Sequence, residues 1–221
     1  MIIIKSICYI IGASDADNIY INEKCNHYII AADRGLESLK NQGITPHLIV
    51  GDFDSLGYRP QGDNVICHKP EKDDTDTMLA VNEGISRGYD TFIFYGCLGG
   101  RLDHTIANIN VLGYLADMGK RGYIVSENQI VTVIKNDKFS FMPFEEGYIS
   151  VFSIAGDAEG VYEKGLKYSL ENANLPCLTT LGVSNEFTGT EAEISVKNGM
   201  LAIMWTSSAK NLIDKYIKPE D

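Results

Sequence analysis

Thr91-Phe92-Ile93-Phe94-Tyr95-Gly96-Cys97-Leu98-Gly99-Gly100-Arg101-Leu102-Asp103-His104 reads as a buried strand, a glycine turn and the opening of a helix. A short apolar run bounded by glycine suits a strand covered on both faces. Beyond the turn, Leu102, Ile106, Ile109, Leu112 and Leu115 recur at helical spacing, and Gly119 closes that helix. Upstream, Thr75–Arg87 reads as a helix with Met78, Val81 and Ile85 on one face and Gly88 behind it. Helix, strand and helix in this order imply a parallel sheet with right-handed crossovers.

The same pattern extends toward the N-terminus. Ile2–Ile11 is a strand, followed by Gly12 and a polar stretch. Tyr28–Ala32 is a second strand, Arg34–Gln42 a helix stopped by Gly43, and Leu48–Val50 a further strand ending at Gly51. The second half changes character. Tyr123–Ser126, Ile130–Ile134, Lys138–Met142, Tyr148–Ile154, Glu193–Val196 and Met200–Trp205 read as short strands, with no amphipathic helix among them. Lys197-Asn198-Gly199 predicts a type I′ hairpin between the last two. Such a series suggests an antiparallel sandwich or barrel. The expected organisation is therefore an α/β N-terminal domain with a mostly parallel, Rossmann-like sheet over residues 1–128. An all-β sandwich follows over residues 129–221.

The 221 residues are 44% hydrophobic and carry 19 Lys+Arg against 30 Asp+Glu, a net charge of −11. That balance argues against a nucleic-acid partner, whose phosphates need a basic face. The cysteines Cys8, Cys25, Cys67, Cys97 and Cys177 are an odd, scattered set without a CxxC pair, which predicts reduced thiols in a cytoplasm. The apolar start carries Lys5 and reads as a strand, not a signal peptide, and no segment is long enough to cross a membrane.

Acidic residues gather at the strand ends. Asp33 ends the strand Tyr28–Ala32, and Asp52 and Asp54 follow Leu48–Val50. In an extended segment residues two apart point to the same side, so both carboxylates would meet one Mg²⁺ or Mn²⁺. Open α/β sheets bind ligands at that edge. Asp73, Asp74 and Asp76 open the helix Thr75–Arg87, with Lys69 and Lys72 near enough to offset phosphate charge. The glycine turn lets a polyphosphate approach backbone N–H groups, and Arg101 is placed to fork onto its oxygens. Each segment alone is also explained by ordinary helix capping. Their accumulation on one edge is harder to explain that way.

Ala32-Asp33-Arg34-Gly35, Gly51-Asp52-Phe53-Asp54-Ser55-Leu56, Glu71-Lys72-Asp73-Asp74-Thr75-Asp76 and Gly99-Gly100-Arg101-Leu102-Asp103-His104 resemble, in order and spacing, the motif series of thiamine pyrophosphokinases. Gly165-Leu166-Lys167-Tyr168 and Gly182-Val183-Ser184-Asn185-Glu186 resemble that family's thiamine-binding segments. The resemblance implies transfer of a diphosphoryl group from ATP to the thiamine hydroxyl, with AMP leaving. It also implies a homodimer, with thiamine held between the catalytic domain of one subunit and the sandwich of the other. By motif, Asp52, Asp54 and Asp76 would hold Mg²⁺. Asp33, Lys72, Asp73, Gly99, Gly100, Arg101 and His104 would form the ATP site. Asp103 would lie by the nucleotide or the attacking hydroxyl. Ser184 and Asn185 would hydrogen-bond the thiamine pyrimidine, and Tyr168 would stack on it. Trp205 reads either as sandwich core or as part of that site.

Two other readings remain at this point. One is a metal-dependent phosphohydrolase with Asp52 as nucleophile, against which the late position of the DxD counts. The other is a catalytically silent thiamine- or nucleotide-binding regulator.

Overall fold

The computed structural model describes residues 2–3, 6–68 and 73–218. In chain order the elements are β1 (Ile2–Ile3), β2 (Ser6–Ile11), β3 (Asn26–Ala32), α1 (Gly35–Asn41), β4 (Leu48–Gly51), β5 (Val65–Cys67), α2 (Asp76–Ser86), β6 (Thr91–Tyr95), α3 (Leu102–Asp117) and β7 (Arg121–Val125). There follow β8 (Gln129–Lys135), β9 (Lys138–Phe141), β10 (Tyr148–Lys164), β11 (Leu170–Leu175), β12 (Asn185–Glu186), β13 (Ala192–Ser195), β14 (Asn198–Thr206) and β15 (Ile217–Lys218). The chain forms two compact units. One comprises Met1–Asn108, Ile124–Glu127 and Ala209–Asp221, the other Ile109–Tyr123 and Asn128–Ser208.

The first unit is built on the parallel strand order β5-β4-β3-β2-β6. Ile7 to Ile11 and Thr91 to Tyr95 are buried without alternation, as expected for strands covered on both faces. Of the expected first strand, Ile2–Ile3 pairs with β15 and Ser6–Ile11 enters the main sheet, while Ile4 and Lys5 lie outside the described residues. No helix links β2 to β3, and the β4–β5 connection carries a single 3-10 turn, Asp54–Leu56.

α1 ends as the sequence predicts. Gly43 takes φ +69°, and the Ile44 N–H donates to the Leu39 carbonyl at 3.0 Å. α2 buries Thr77, Ala80, Val81 and Gly84, so Met78 and Ile85 flank the packed stripe instead of forming it. α3 buries Val111, Leu112 and Leu115 but leaves Leu102 and Ile106 exposed, contrary to the expected apolar face. Its first turns belong to a cavity wall instead.

The second unit is a sandwich of antiparallel strands organised by β10. The first part of β10 pairs with β14 and β12, and β14 pairs with β8. The last part pairs with β11 and β13, and β13 pairs with β9. β10 passes from one sheet to the other through an irregular stretch where Ala155 (φ 59°), Gly156 (129°) and Gly160 (63°) leave extended geometry. The ring of Trp205, on β14, lies 5.6 Å from that of Phe139 and 5.4 Å from that of Phe141, both on β9. Trp205 therefore belongs to the core between the sheets, where it is 2% exposed.

The predicted hairpin does not form. β13 and β14 do not pair with each other; each pairs with a different stretch of β10. Of the Asn-Gly pair only Gly199 takes a positive φ, +116°, whereas a type I′ turn needs both. Asn198 faces Glu159 across the ladder, and the Gly199 N–H donates to Asn136 Oδ1 at 2.8 Å. The bend in β10 separates the two sheets, so this connection crosses between them.

Candidate active site

The chain order of the five parallel strands reverses between β2 and β6. Loops leaving the carboxyl ends of such neighbours splay apart and leave a crevice. A cavity of about 510 Å³ occupies that place. Its walls come from Ala13-Ser14-Asp15 after β2, Ala32-Asp33-Arg34 after β3, Ser55 after β4, the start of α2, and the turn Gly96–Arg101 after β6 with His104 and Asn108 of α3. Gly96 makes the close approach of the two central loops possible. It takes φ +62°, and a Cβ there would fall 2.5 Å from the Ser14 carbonyl oxygen.

Three carboxylates meet here. Asp33, Asp52 and Asp76 each present an oxygen within 4.8 Å of the others. Asp33 Oδ2 accepts a hydrogen bond from Ser55 Oγ at 2.6 Å, while its Oδ1 is buried without a hydrogen-bond partner. Asp33 also sits in the left-handed region, at φ 49°, which is uncommon for a residue with a side chain. Like charges so close repel by about 4 kcal/mol per pair at 4 Å and an effective dielectric of 20. A hard divalent cation with oxygen ligands reverses that sign, and the donor set suits Mg²⁺, which is commonly bound through one or two carboxylates together with phosphate oxygens. α2 does not require Asp76 as its cap. The cap is Thr75, whose Oγ1 accepts from the Met78 N–H at 3.2 Å.

The segment after β4 is not extended. Phe53, buried at 2% exposure, takes φ +64° and turns the chain into the 3-10 turn that Asp54 opens. The alternation expected to aim Asp52 and Asp54 to one side is therefore absent. Asp52 joins the cluster, and Asp54 contributes its backbone N–H to Asp52 Oδ1 at 3.2 Å. Arg101 forks onto Asp103, with Nη2–Oδ2 2.6 Å and Nε–Oδ1 3.2 Å. That contact holds the Asp103 carboxyl below its ordinary range. Gly99 and Gly100, at φ 78° and 64°, bend the loop, and its Gly99 carbonyl accepts from Ser14 Oγ at 3.3 Å. Asp73 is exposed and does not line the cavity, and Lys72 lies outside the described residues.

A second cavity, about 360 Å³, lies in the sandwich unit, lined by Glu163, Tyr168, Ser169, Leu170, Leu181, Gly182, Val183 and Asn185. The segment 182–185 is fastened to β10. The Val151 N–H donates to the Gly182 carbonyl at 2.8 Å, and the Ser184 N–H to Ser150 Oγ at 3.1 Å. Only glycine fits at 182, because a Cβ would fall 2.2 Å from the Val151 carbonyl oxygen. Asn185 is 5% exposed. Its Nδ2 donates to Glu163 Oε2 at 2.8 Å and to the Tyr168 carbonyl at 2.6 Å. Its Oδ1 accepts from the N–H groups of Tyr168 at 3.0 Å and Glu186 at 2.9 Å. Burial raises the Glu163 carboxyl pKa, and the Asn185 hydrogen bond opposes that shift.

A family model described as "Thiamin pyrophosphokinase, catalytic domain" matches residues 21–124, and one described as "Thiamin pyrophosphokinase, vitamin B1 binding domain" matches residues 128–201. The chain belongs to the thiamin pyrophosphokinase family. Thiamine pyrophosphokinase of Bacillus subtilis (strain 168) is 26% identical over 182 residues, covering 79% of this chain and 85% of its own. Thiamin pyrophosphokinase 1 of Caenorhabditis elegans is 24% identical over 199 residues, 84% of this chain and 81% of its own. The crystal structure of thiamin pyrophosphokinase from Geobacillus thermodenitrificans superposes with a TM-score of 0.78 at 25% identity, covering 92% of this chain and 98% of that one. These matches lend no support to the phosphohydrolase or silent-regulator readings.

In this member of the thiamin pyrophosphokinase family, the described structure brings Asp33, Asp52 and Asp76 into one cluster, and places Gly100, Arg101 and His104 on the same cavity. Asp54 is not one of the clustered carboxylates. Tyr168 and Asn185 line the second cavity, with Ser184 exposed between its wall residues Val183 and Asn185. Sequence reasoning passed over Ser14, Asp15, Arg34, Ser55 and Asn108, all cavity-lining. A signal for Ser14 and Asp15 was present: they follow the glycine that ends the first strand, where such a fold puts ligands. Glu163 carried no such signal, because it meets Asn185 across 22 positions.

Proposed function

We propose that this chain transfers the diphosphoryl group of ATP to the hydroxyethyl oxygen of thiamine, giving thiamine diphosphate and AMP. The observation that carries the reading is the carboxylate cluster, with the orphaned Asp33 Oδ1, at the switch point of the parallel sheet. Asp33, Asp52 and Asp76, with Asp54 beside them, would hold Mg²⁺ or Mn²⁺. When bound, the metal neutralises charge on the polyphosphate oxygens. The attacking hydroxyl oxygen forms a bond to the β-phosphorus as the bond to the α–β bridging oxygen breaks; AMP leaves with that oxygen, and the hydroxyl proton is released to solvent. Such transfers depend on positioning and charge stabilisation.

The chain's own groups fit those tasks. The loop through Gly99 and Gly100 would receive phosphate oxygens on its N–H groups, with Lys72, Asp73 and His104 completing the ATP site. Arg101 would exchange Asp103 for phosphate, which it can likewise grip through two parallel hydrogen bonds, leaving Asp103 by the nucleotide or the hydroxyl. Tyr168 and Ser184 would contact thiamine, with Asn185 holding the wall of that site in place. Thiamine is a cation, and a protein of net charge −11 suits it. In this proposal residues 1–128 handle the nucleotide and residues 129–221 hold thiamine.

Incubation with ATP, Mg²⁺ and thiamine is expected to yield thiamine diphosphate and AMP in equal amounts, read by mass. Release of inorganic phosphate or ADP without thiamine diphosphate would overturn the reading. A homodimer belongs to the same proposal. Leu181 and Val183, beside the second cavity, are 62% and 42% exposed, an apolar rim suited to a second copy. Sedimentation equilibrium is expected to give twice the chain mass, and a monomer at assay concentration would remove the dimer from the account. A cytoplasmic location completes it. All five cysteines are free thiols, and cell fractionation tests the placement.

A further inference from the structure

We infer that Glu163 is the residue by which the second cavity selects thiamine: its Oε1 accepts a hydrogen bond from the exocyclic amino group of the pyrimidine, and Asn185 holds it there. This rests on the thiamine reading above.

Glu163 lines the cavity, is 1% exposed, and has an Oε1 with no hydrogen-bond partner in the chain. A buried acceptor left unpaired is costly unless a ligand supplies the donor. The neighbouring Asn185 has nothing to offer a ligand. Both Nδ2 protons go to Glu163 Oε2 and the Tyr168 carbonyl, and Oδ1 takes two backbone N–H groups. Asn185 is thus a positioning residue. It fastens the Tyr168 backbone, on the loop after β10, to the Glu186 N–H of β12, and by taking Oε2 it leaves Oε1 as the Glu163 oxygen without a hydrogen-bond partner. Among the named wall residues Glu163 alone is a carboxylate, and a carboxylate oxygen accepts without donating. Thiamine brings an amino donor on its pyrimidine and a positive charge on its thiazolium. Both favour the ionised carboxylate that burial alone disfavours.

The test exchanges donor for acceptor on both sides. Oxythiamine carries a carbonyl oxygen in place of the amino group. Wild-type protein is expected to prefer thiamine over oxythiamine in kcat/KM by about 100-fold or more, since a site built around one hydrogen-bond polarity rejects the other. Glu163→Gln keeps an oxygen for Asn185 and turns an NH₂ into the cavity. Its thiamine-to-oxythiamine ratio is expected to fall at least tenfold, with KM for ATP within about twofold of wild type. An unchanged ratio in Glu163→Gln overturns the inference, as does a wild-type protein that uses both substrates equally. Should Glu163→Gln fail to fold, Glu163→Met, of similar volume and without an acceptor, is expected to show the same fall, and an unchanged ratio there is equally fatal. The two readings fail separately. Wild-type protein that makes thiamine diphosphate alongside an unchanged variant ratio sinks only this inference. No thiamine diphosphate from wild type sinks the functional reading and this one with it.

Discussion

Asp76→Asn is expected to lower kcat for thiamine diphosphate formation by about 10³-fold, on the order of 4 kcal/mol of transition-state stabilisation. The change removes one of three carboxylates that converge within 4.8 Å and leaves the side chain's size almost unaltered. The helix does not depend on it, because Thr75 caps α2 through the Met78 N–H. Asparagine keeps the side chain's size and its capacity to accept a hydrogen bond, so the melting temperature is expected to stay close to that of wild type. Loss of activity with retained stability is the signature of a charge placed for a ligand. Steady-state kinetics at saturating Mg²⁺, with a thermal melt of the same sample, checks both halves. A variant turning over within tenfold of wild type would remove Asp76 from the metal site, and Mg²⁺ titration by calorimetry would show which carboxylates remain in it.

Trp205→Ala is expected to act in the opposite way, on stability first. The ring is fully packed between the sheets against Phe139 and Phe141. Emptying such a site costs about 3–5 kcal/mol. For a chain of this size each kcal/mol moves the melting temperature by about 2–4 °C, so a fall of roughly 10 °C is expected. Trp205→Phe refills most of the volume and is expected to recover more than half of the loss. Its indole Nε1 has no hydrogen-bond partner, so the exchange gives up no hydrogen bond. If Trp205→Ala instead melts like wild type and raises only KM for thiamine, the ring belongs to the ligand and not to the core.

The α/β half was readable because its signals are local. A parallel strand buried on both faces is a short apolar run wherever it occurs, as Thr91–Tyr95 shows, and a left-handed glycine after a helix is visible as Gly43. The sandwich half was readable only as a series of short strands: β11 and β12 were not among them, and β10 runs on past Ile154 to Lys164. Asn198-Gly199 carries a strong local turn preference, and the bend in β10 overrides it by drawing β13 and β14 to different sheets. Asp54 was read from an extended geometry that Phe53 breaks, and a phenylalanine gives no local sign of adopting φ +64°. The aromatic role left open for Trp205 was decided by neighbours more than 60 positions away.

Apolar periodicity and glycine stops, written in the chain itself, determined the α/β-then-β organisation, and the order and spacing of the acidic motifs determined the family and the edge of the sheet where chemistry gathers. Tertiary structure alone decided that Asp33 joins Asp52 and Asp76, that Ser14 faces the glycine turn, and that Glu163 is clamped by Asn185 with one oxygen left over. The physical reason is range. Capping, alternation and helical spacing act over a few residues and leave a mark on composition. A carboxylate's partner is set by whichever strand ends or bends bring two distant backbones together, and that is a property of the packed sheet.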